Sequence, residues 1–144
     1  MNTIFIVEDN AIISKLYRDK FLREGFHVEV AEDGLAAIRM LATLRPDVVV
    51  LDLMLPMLTG VDVLQYIRST PDLKAAPVII LSEAYMSDLA QAAAKIGAEQ
   101  TLLKSSCTPN LLLDVVNKIL SGTVVELAPS QRLAARELSE KPPS

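Results

Sequence analysis

Asp47-Val48-Val49-Val50-Leu51-Asp52-Leu53 decides the fold. Residues 48–51 are apolar at every position rather than at alternate ones. A strand with that pattern is buried on both faces, as in a parallel sheet covered by helices. Val78-Ile79-Ile80-Leu81 repeats it, Ile4-Phe5-Ile6-Val7 matches it, and weaker versions stand at 28–30 and 101–103. Helical spacing fills the gaps between these runs. A first helix carries Ile12, Ile13, Leu16, Tyr17 and Lys20 on one face, with Arg18, Asp19 and Arg23 on the other, and stops at Gly25. Leu35, Ile38, Leu41 and Ala42 mark a second, closed by Arg45-Pro46, and Val61, Leu64, Ile67 and Arg68 a third, ended near Thr70-Pro71. An alanine-rich fourth covers 89–96 before Gly97, and a fifth, with Leu111, Val115, Ile119 and Leu120, stops at Gly122. Five strand–helix units in alternation argue for a doubly wound parallel five-stranded α/β sheet with helices on both faces. Five units rather than six favour the flavodoxin-like (βα)5 class, whose strand order is 2-1-3-4-5.

Composition agrees with one such domain. The chain has 144 residues, 51% hydrophobic and 22% charged, and a chain of this size buries roughly 68–70% of its unfolded surface. Lys plus Arg is 14 and Asp plus Glu is 18, a net charge of −4, which speaks against a general nucleic-acid binder. One cysteine, Cys107, and one histidine, His27, exclude an internal disulfide framework and multi-histidine metal sites. No apolar run approaches the ~18 residues of a membrane span, and the first residues do not read as a signal peptide. The expectation is a cytoplasmic domain over residues 1–122. Residues 123–144, with Pro129, Pro142 and Pro143, read as a C-terminal tail or linker with one possible short helix at 130–140.

Open α/β sheets place their sites at the carboxyl ends of the strands, where the strand order reverses. Glu8-Asp9 follows the first strand and Asp52 follows the third, so three carboxylates converge on the expected crevice. Like charges at close range repel, and a divalent cation relieves them; hard oxygen ligands suit Mg2+ better than zinc. Ser82 ends the fourth strand and Lys104 the fifth. A hydroxyl and an ammonium there are groups that bind phosphoryl oxygens. The set reads as phosphoryl transfer to a carboxylate, since an aspartate can act as a nucleophile and form an acyl phosphate. Each member has a plainer reading: Asp9-Asn10 as a helix cap, Ser82 as a turn residue, Lys104 as a solvated charge. Asp52, between Leu51 and Leu53, resists such a reading because an unpartnered carboxylate in an apolar stretch is costly.

The chain resembles the receiver domain of bacterial two-component response regulators, the group that includes the chemotaxis response regulator. The resemblance rests on residues 4–10, on Ala31-Glu32-Asp33-Gly34, on residues 46–56, on Gly60, on Pro77-Val78-Ile79-Ile80-Leu81-Ser82, and on Gly97-Ala98 before Leu103-Lys104. It implies that Asp52 is the phosphoacceptor, with Mg2+ held by Asp9, by Glu8 through water, by Asp52 and by the Met54 backbone carbonyl. It implies that Ser82 bonds the phosphoryl group and moves towards it, and that Lys104 pairs with a phosphoryl oxygen. The implied donors are a sensor histidine kinase, a phosphotransfer protein or small acyl phosphates, with an output protein or domain as the downstream partner. The implied partner or homodimer surface is the face of the fourth helix, fifth strand and fifth helix.

Three positions depart from the family pattern. Thr101 replaces the usual switch aromatic, Ser105 the usual proline after the lysine, and Glu83 the usual small residue after Ser82. Tyr85 is a candidate substitute for the aromatic half of the switch. Met54, apolar and two residues after Asp52, is a poor group for orienting a hydrolytic water, so a long-lived phosphoaspartate is expected. A haloacid-dehalogenase-type phosphatase is disfavoured because Met54 stands where that chemistry needs a second aspartate. Nucleotide binding is disfavoured because Glu8-Asp9-Asn10, rather than a glycine-rich turn, follows the first strand. A receiver impaired in phosphorylation and acting as a protein-interaction scaffold is the remaining alternative. His27, Cys107 and Asp62 read as a strand or surface residue, a structural thiol and a first-turn helix charge.

Overall fold

Each apolar strand needs two dry faces, and the fold supplies them. A computed structural model describes residues 1–83 and 88–122. Strands β1 (Thr3–Val7), β2 (His27–Ala31), β3 (Val48–Asp52), β4 (Val78–Ser82) and β5 (Gln100–Leu103) alternate with helices α1 (Ala11–Arg23), α2 (Gly34–Leu41), α3 (Gly60–Ser69), α4 (Asp88–Ile96) and α5 (Pro109–Ser121). The five strands pair in parallel in the order β2-β1-β3-β4-β5, the expected flavodoxin-like arrangement. Phe5, Val7, Val49, Leu51, Val78 and Ile80 pack on one face with residues of α2, α3 and α4. Ile4, Ile6, Val48, Val50, Ile79 and Leu81 pack on the other with α1 and α5. Both parities of β1, β3 and β4 are therefore buried, which is why their sequences do not alternate.

Two local expectations need correction. The inward face of α1 is Ser14, Tyr17 and Phe21, whereas Ile12 and Leu16 are 75% and 55% exposed and Lys20 reaches Glu24 at 4.0 Å. Phe21 anchors that face, meeting Phe26 edge-on at 5.1 Å between ring centroids, and turns Ile12 and Leu16 outwards. Helix α2 ends at Leu41, short of Arg45-Pro46. The chain continues in turns, and the Arg45 guanidinium donates to the carbonyls of Leu41 and Leu44 at 2.8 and 2.9 Å, satisfying helix-end acceptors. Of the Asp9-Asn10 pair, Asn10 is the cap of α1: its Oδ1 accepts from the N–H groups of Ile12 and Ile13 at 3.0 and 3.1 Å. Asp62 closes a capping box with Thr59 at the start of α3. The tail expected over 123–144 and Tyr85 lie outside the described residues.

At the amino edge of the sheet, Arg68 holds three segments together. Its guanidinium donates to the carbonyls of Gly97, Lys74 and Ala76 and to Glu99 Oε1, which also accepts from the Val78 N–H. This ties α3 to the entry of β4 and to the connection between α4 and β5, leaving the carboxyl edge to carry the site.

Candidate functional site

Register brings the acidic residues together. Val7 pairs with Leu51, so Glu8 and Asp52 are the next residues at the carboxyl ends of adjacent strands. One carboxylate oxygen from each of Glu8, Asp9 and Asp52 lies within 4.8 Å of the others. Glu8 and Asp52 are buried and Asp9 is exposed, so the cluster has two dry carboxylates under one wet one. Because Asn10 takes the capping role, Asp9 is left to the cluster.

Lys104 answers these charges. It opens a 3-10 turn, Lys104–Ser106, directly after β5. Its Nζ lies 2.7 Å from Glu8 Oε1 and 2.7 Å from Asp52 Oδ2, with the side chain largely buried. Two backbone donors complete the set: Asn10 N–H to Glu8 Oε2 at 3.2 Å and Met54 N–H to Asp52 Oδ1 at 3.1 Å. Glu8 Oε1 is buried and lies against the ammonium. Burial pushes the Glu8 carboxyl up to about 7, against the lowering effect of Lys104 and with the help of neighbouring Asp52. Burial opposes the charge on Lys104, but its bonds to Asp52 and Glu8 outweigh this and hold the ammonium above its ordinary value. Two dry carboxylates and a third at the mouth form a donor set of the hard, oxygen-only kind that suits Mg2+.

Ser82 is buried at the end of β4, one residue past the Leu81 that pairs with Asp52, and pairs with Leu103. Thr101 lies in β5 opposite Ile80 and is partly buried. Glu8, Asp9, Asp52, Ser82 and Lys104 therefore stand at the carboxyl ends of β1, β3, β4 and β5, Met54 follows β3 by two residues, and Thr101 lies two residues below the end of β5. Cys107 is a buried thiol, pushed by burial up to about 11, and His27 is an edge-strand residue paired with Glu29. The sequence places Tyr17 on the first helix but gives no sign of its bond: its hydroxyl donates to the Cys107 carbonyl at 2.7 Å across 90 positions of sequence.

The connection from β3 to α3 forms the lip of the site. Met54 is 61% exposed and Met57 71%. Met57 has φ +72°, and Leu58 N–H donates to the Pro56 carbonyl at 2.9 Å around it, a γ-turn of the strained hand. Met57→Gly should therefore raise stability by about 0.5–1 kcal/mol, relief of left-handed strain exceeding the entropy cost of glycine. Urea denaturation checks this, and a lowered midpoint would refute it.

The family model described as response regulator receiver domain matches residues 4–117. Response regulator MprA of Mycobacterium sp. (strain KMS) is 34% identical over 109 residues, covering 76% of this chain and 46% of MprA. The chain thus spans about half the length of the curated relatives it matches. Chemotaxis response regulator CheY4 of Vibrio cholerae superposes with a TM-score of 0.76 at 25% identity, over 83% of this chain and 98% of that one. The Mn2+-bound form of response regulator Rcp1 superposes with a TM-score of 0.72 at 28% identity, over 89% and 100%.

Proposed function

This chain belongs to the response regulator receiver domain family, the phosphoacceptor modules of two-component signalling, and from that premise we propose that Asp52 is its phosphoacceptor. The observation that carries the proposal is the Lys104 ammonium at 2.7 Å from both Glu8 and Asp52, in a buried cluster with Asp9 at its mouth. Burying two carboxylates costs more than one lysine returns, so the arrangement makes sense as a site for a cation and an incoming phosphoryl group. An Asp52 carboxylate oxygen attacks phosphorus in a phosphohistidine or a small acyl phosphate. The new P–O bond forms as the bond to the imidazole nitrogen or the acyl oxygen breaks. The leaving imidazole keeps or takes up a proton from water, and Asp52 becomes an acyl phosphate.

Glu8, Asp9, Asp52 and the Met54 carbonyl would hold Mg2+, which supplies neutralisation of charge on the transferred group; the Mn2+-bound form of Rcp1 supports a divalent cation here. Lys104 exchanges its bond to Asp52 for a phosphoryl oxygen, and the Ser82 hydroxyl donates to another. Drawing Ser82 inwards re-poses the face of α4, β5 and α5, with Thr101 in place of an aromatic at the switch position. That face is the proposed partner or homodimer surface, and the output is a separate protein or a further domain. The donor is a sensor histidine kinase or phosphotransfer protein. The module is a stoichiometric cytoplasmic acceptor rather than a turnover enzyme, and it does not itself bind nucleic acid.

Intact mass after incubation with acetyl phosphate and Mg2+ tests this reading. One phosphoryl group per chain is expected, absent from Asp52→Asn and from metal-free protein. No adduct on folded wild-type protein would favour the scaffold alternative.

A further inference from the structure

Lys104 reaches both carboxylates because the turn that carries it, Lys104–Ser106, is held in place. The turn has little to hold itself. Three-residue 3-10 turns have poor hydrogen-bond geometry, and here the Cys107 N–H reaches the Lys104 carbonyl at 3.3 Å. Ser105 and Ser106 are exposed, and the turn contains no proline to stiffen it. The strong tie comes from another element. Tyr17 of α1, 3% exposed, donates its hydroxyl to the Cys107 carbonyl at 2.7 Å in a buried bond. Cys107 packs in the same core with Leu112 and Val115 of α5, so the carbonyl is fixed from below as well. Burial, Cys107 and the charges of Glu8 and Asp52 all raise the Tyr17 phenol, which keeps it a donor at any working pH.

We propose that Tyr17 is a positioning residue for phosphoryl acceptance: its bond to the Cys107 carbonyl sets the turn that aims the Lys104 ammonium at Glu8 and Asp52. The proposal rests on the reading of Asp52 as phosphoacceptor. A phenylalanine ring fills the same space, so Tyr17→Phe keeps the packing and removes the bond. It leaves a buried carbonyl without its donor, and the turn relaxes at the point where the ammonium must be placed to a fraction of an ångström.

Two readouts test this, with the urea midpoint of each variant confirming that it is folded under assay conditions. The first is the 15Nζ signal of Lys104 in metal-free protein, identified by its loss in Lys104→Met. The second is the rate of adduct formation from acetyl phosphate and Mg2+, by intact mass, in wild type, Tyr17→Phe, Lys104→Met and the double variant. Tyr17→Phe should shift or broaden the ammonium signal and slow the adduct about tenfold. In the Lys104→Met background the same change should matter by less than about twofold, because two groups acting through one contact are not additive. Equal slowing in both backgrounds would make Tyr17 a general packing residue and overturn the proposal, as would a wild-type signal and rate in Tyr17→Phe. Wild-type protein that forms no adduct overturns the phosphoacceptor reading and this proposal together, which separates the two failures.

Discussion

Lys104→Met should slow acceptance of a phosphoryl group from acetyl phosphate by about 100-fold or more, the scale for loss of one preorganised charge partner. It should also destabilise the metal-free domain by about 3 kcal/mol at neutral pH, the lower end for breaking a buried ion pair from one side. Both effects come from one geometry: the ammonium touches Glu8 and Asp52 at 2.7 Å each, and both carboxylates are buried. Methionine fills the space of the lysine stem and leaves the two acids facing each other. The pH dependence has a definite sign. The Glu8 carboxyl lies near 7 in the folded protein against 4.5 in an unfolded chain, so the native state binds more protons in that interval. Stability from this group therefore falls as pH rises from about 4.5 to 7. Lys104 lowers the Glu8 value, so its removal extends the falling limb to higher pH. The penalty of Lys104→Met should be small at pH 5, larger at pH 8, and partly reversed by millimolar Mg2+, which replaces the lost positive charge. Urea denaturation at the two pH values with and without Mg2+ measures all of this; a penalty independent of pH would refute the electrostatic account.

The strands and the acid cluster are legible in sequence for the same reason. Full burial removes alternation from residues 48–51 and 78–81, and a charged residue ending such a run stands out against it, as Glu8, Asp52 and Lys104 do. Strand order then puts those ends together. The orientation of α1 is not legible in the same way. Its sequence offers two overlapping stripes, and Ile12 with Leu16 is as apolar as Tyr17 with Phe21. Only the packing of Phe21 on Phe26 and the bond from Tyr17 to Cys107 choose between them. Nothing local links positions 17 and 107, or Arg68 with Gly97 and Glu99. Such bonds join chain segments that meet through the fold, and they leave no periodicity to read.

Gly60→Ala should be among the most damaging single-methyl additions in the domain, and it shows how backbone packing reaches the site. A Cβ on Gly60 would stand 2.3 Å from the Asp52 carbonyl oxygen and 2.6 Å from the Leu53 Cα. Both are backbone atoms, so no side chain can turn aside. Gly60 N–H also donates to the Leu53 carbonyl at 3.0 Å, fixing the start of α3 against the end of β3. Relief requires α3 to withdraw or the end of β3 to shift. The first opens the core around Val63, Leu64 and Ile67, which are fully buried, and the second moves Asp52 from Lys104 and from the Met54 N–H. A cost of about 3 kcal/mol is expected, the upper part of the usual overpacking range, because neither route is soft. The two routes differ in function. Withdrawal of α3 lowers the urea midpoint while the folded fraction still takes up a phosphoryl group at the wild-type rate. A shifted β3 slows the adduct even in the folded fraction. Because Asp52 pairs with Leu81 of β4 and its neighbours on β3 are hydrogen-bonded to β1 as well, the strand is held from both sides and α3 should yield first. Gly60→Ala is thus expected to lose stability by about 3 kcal/mol and to keep its acceptance rate per folded molecule. A slowed rate with an unchanged urea midpoint would show that the sheet edge, rather than the helix, is the softer element.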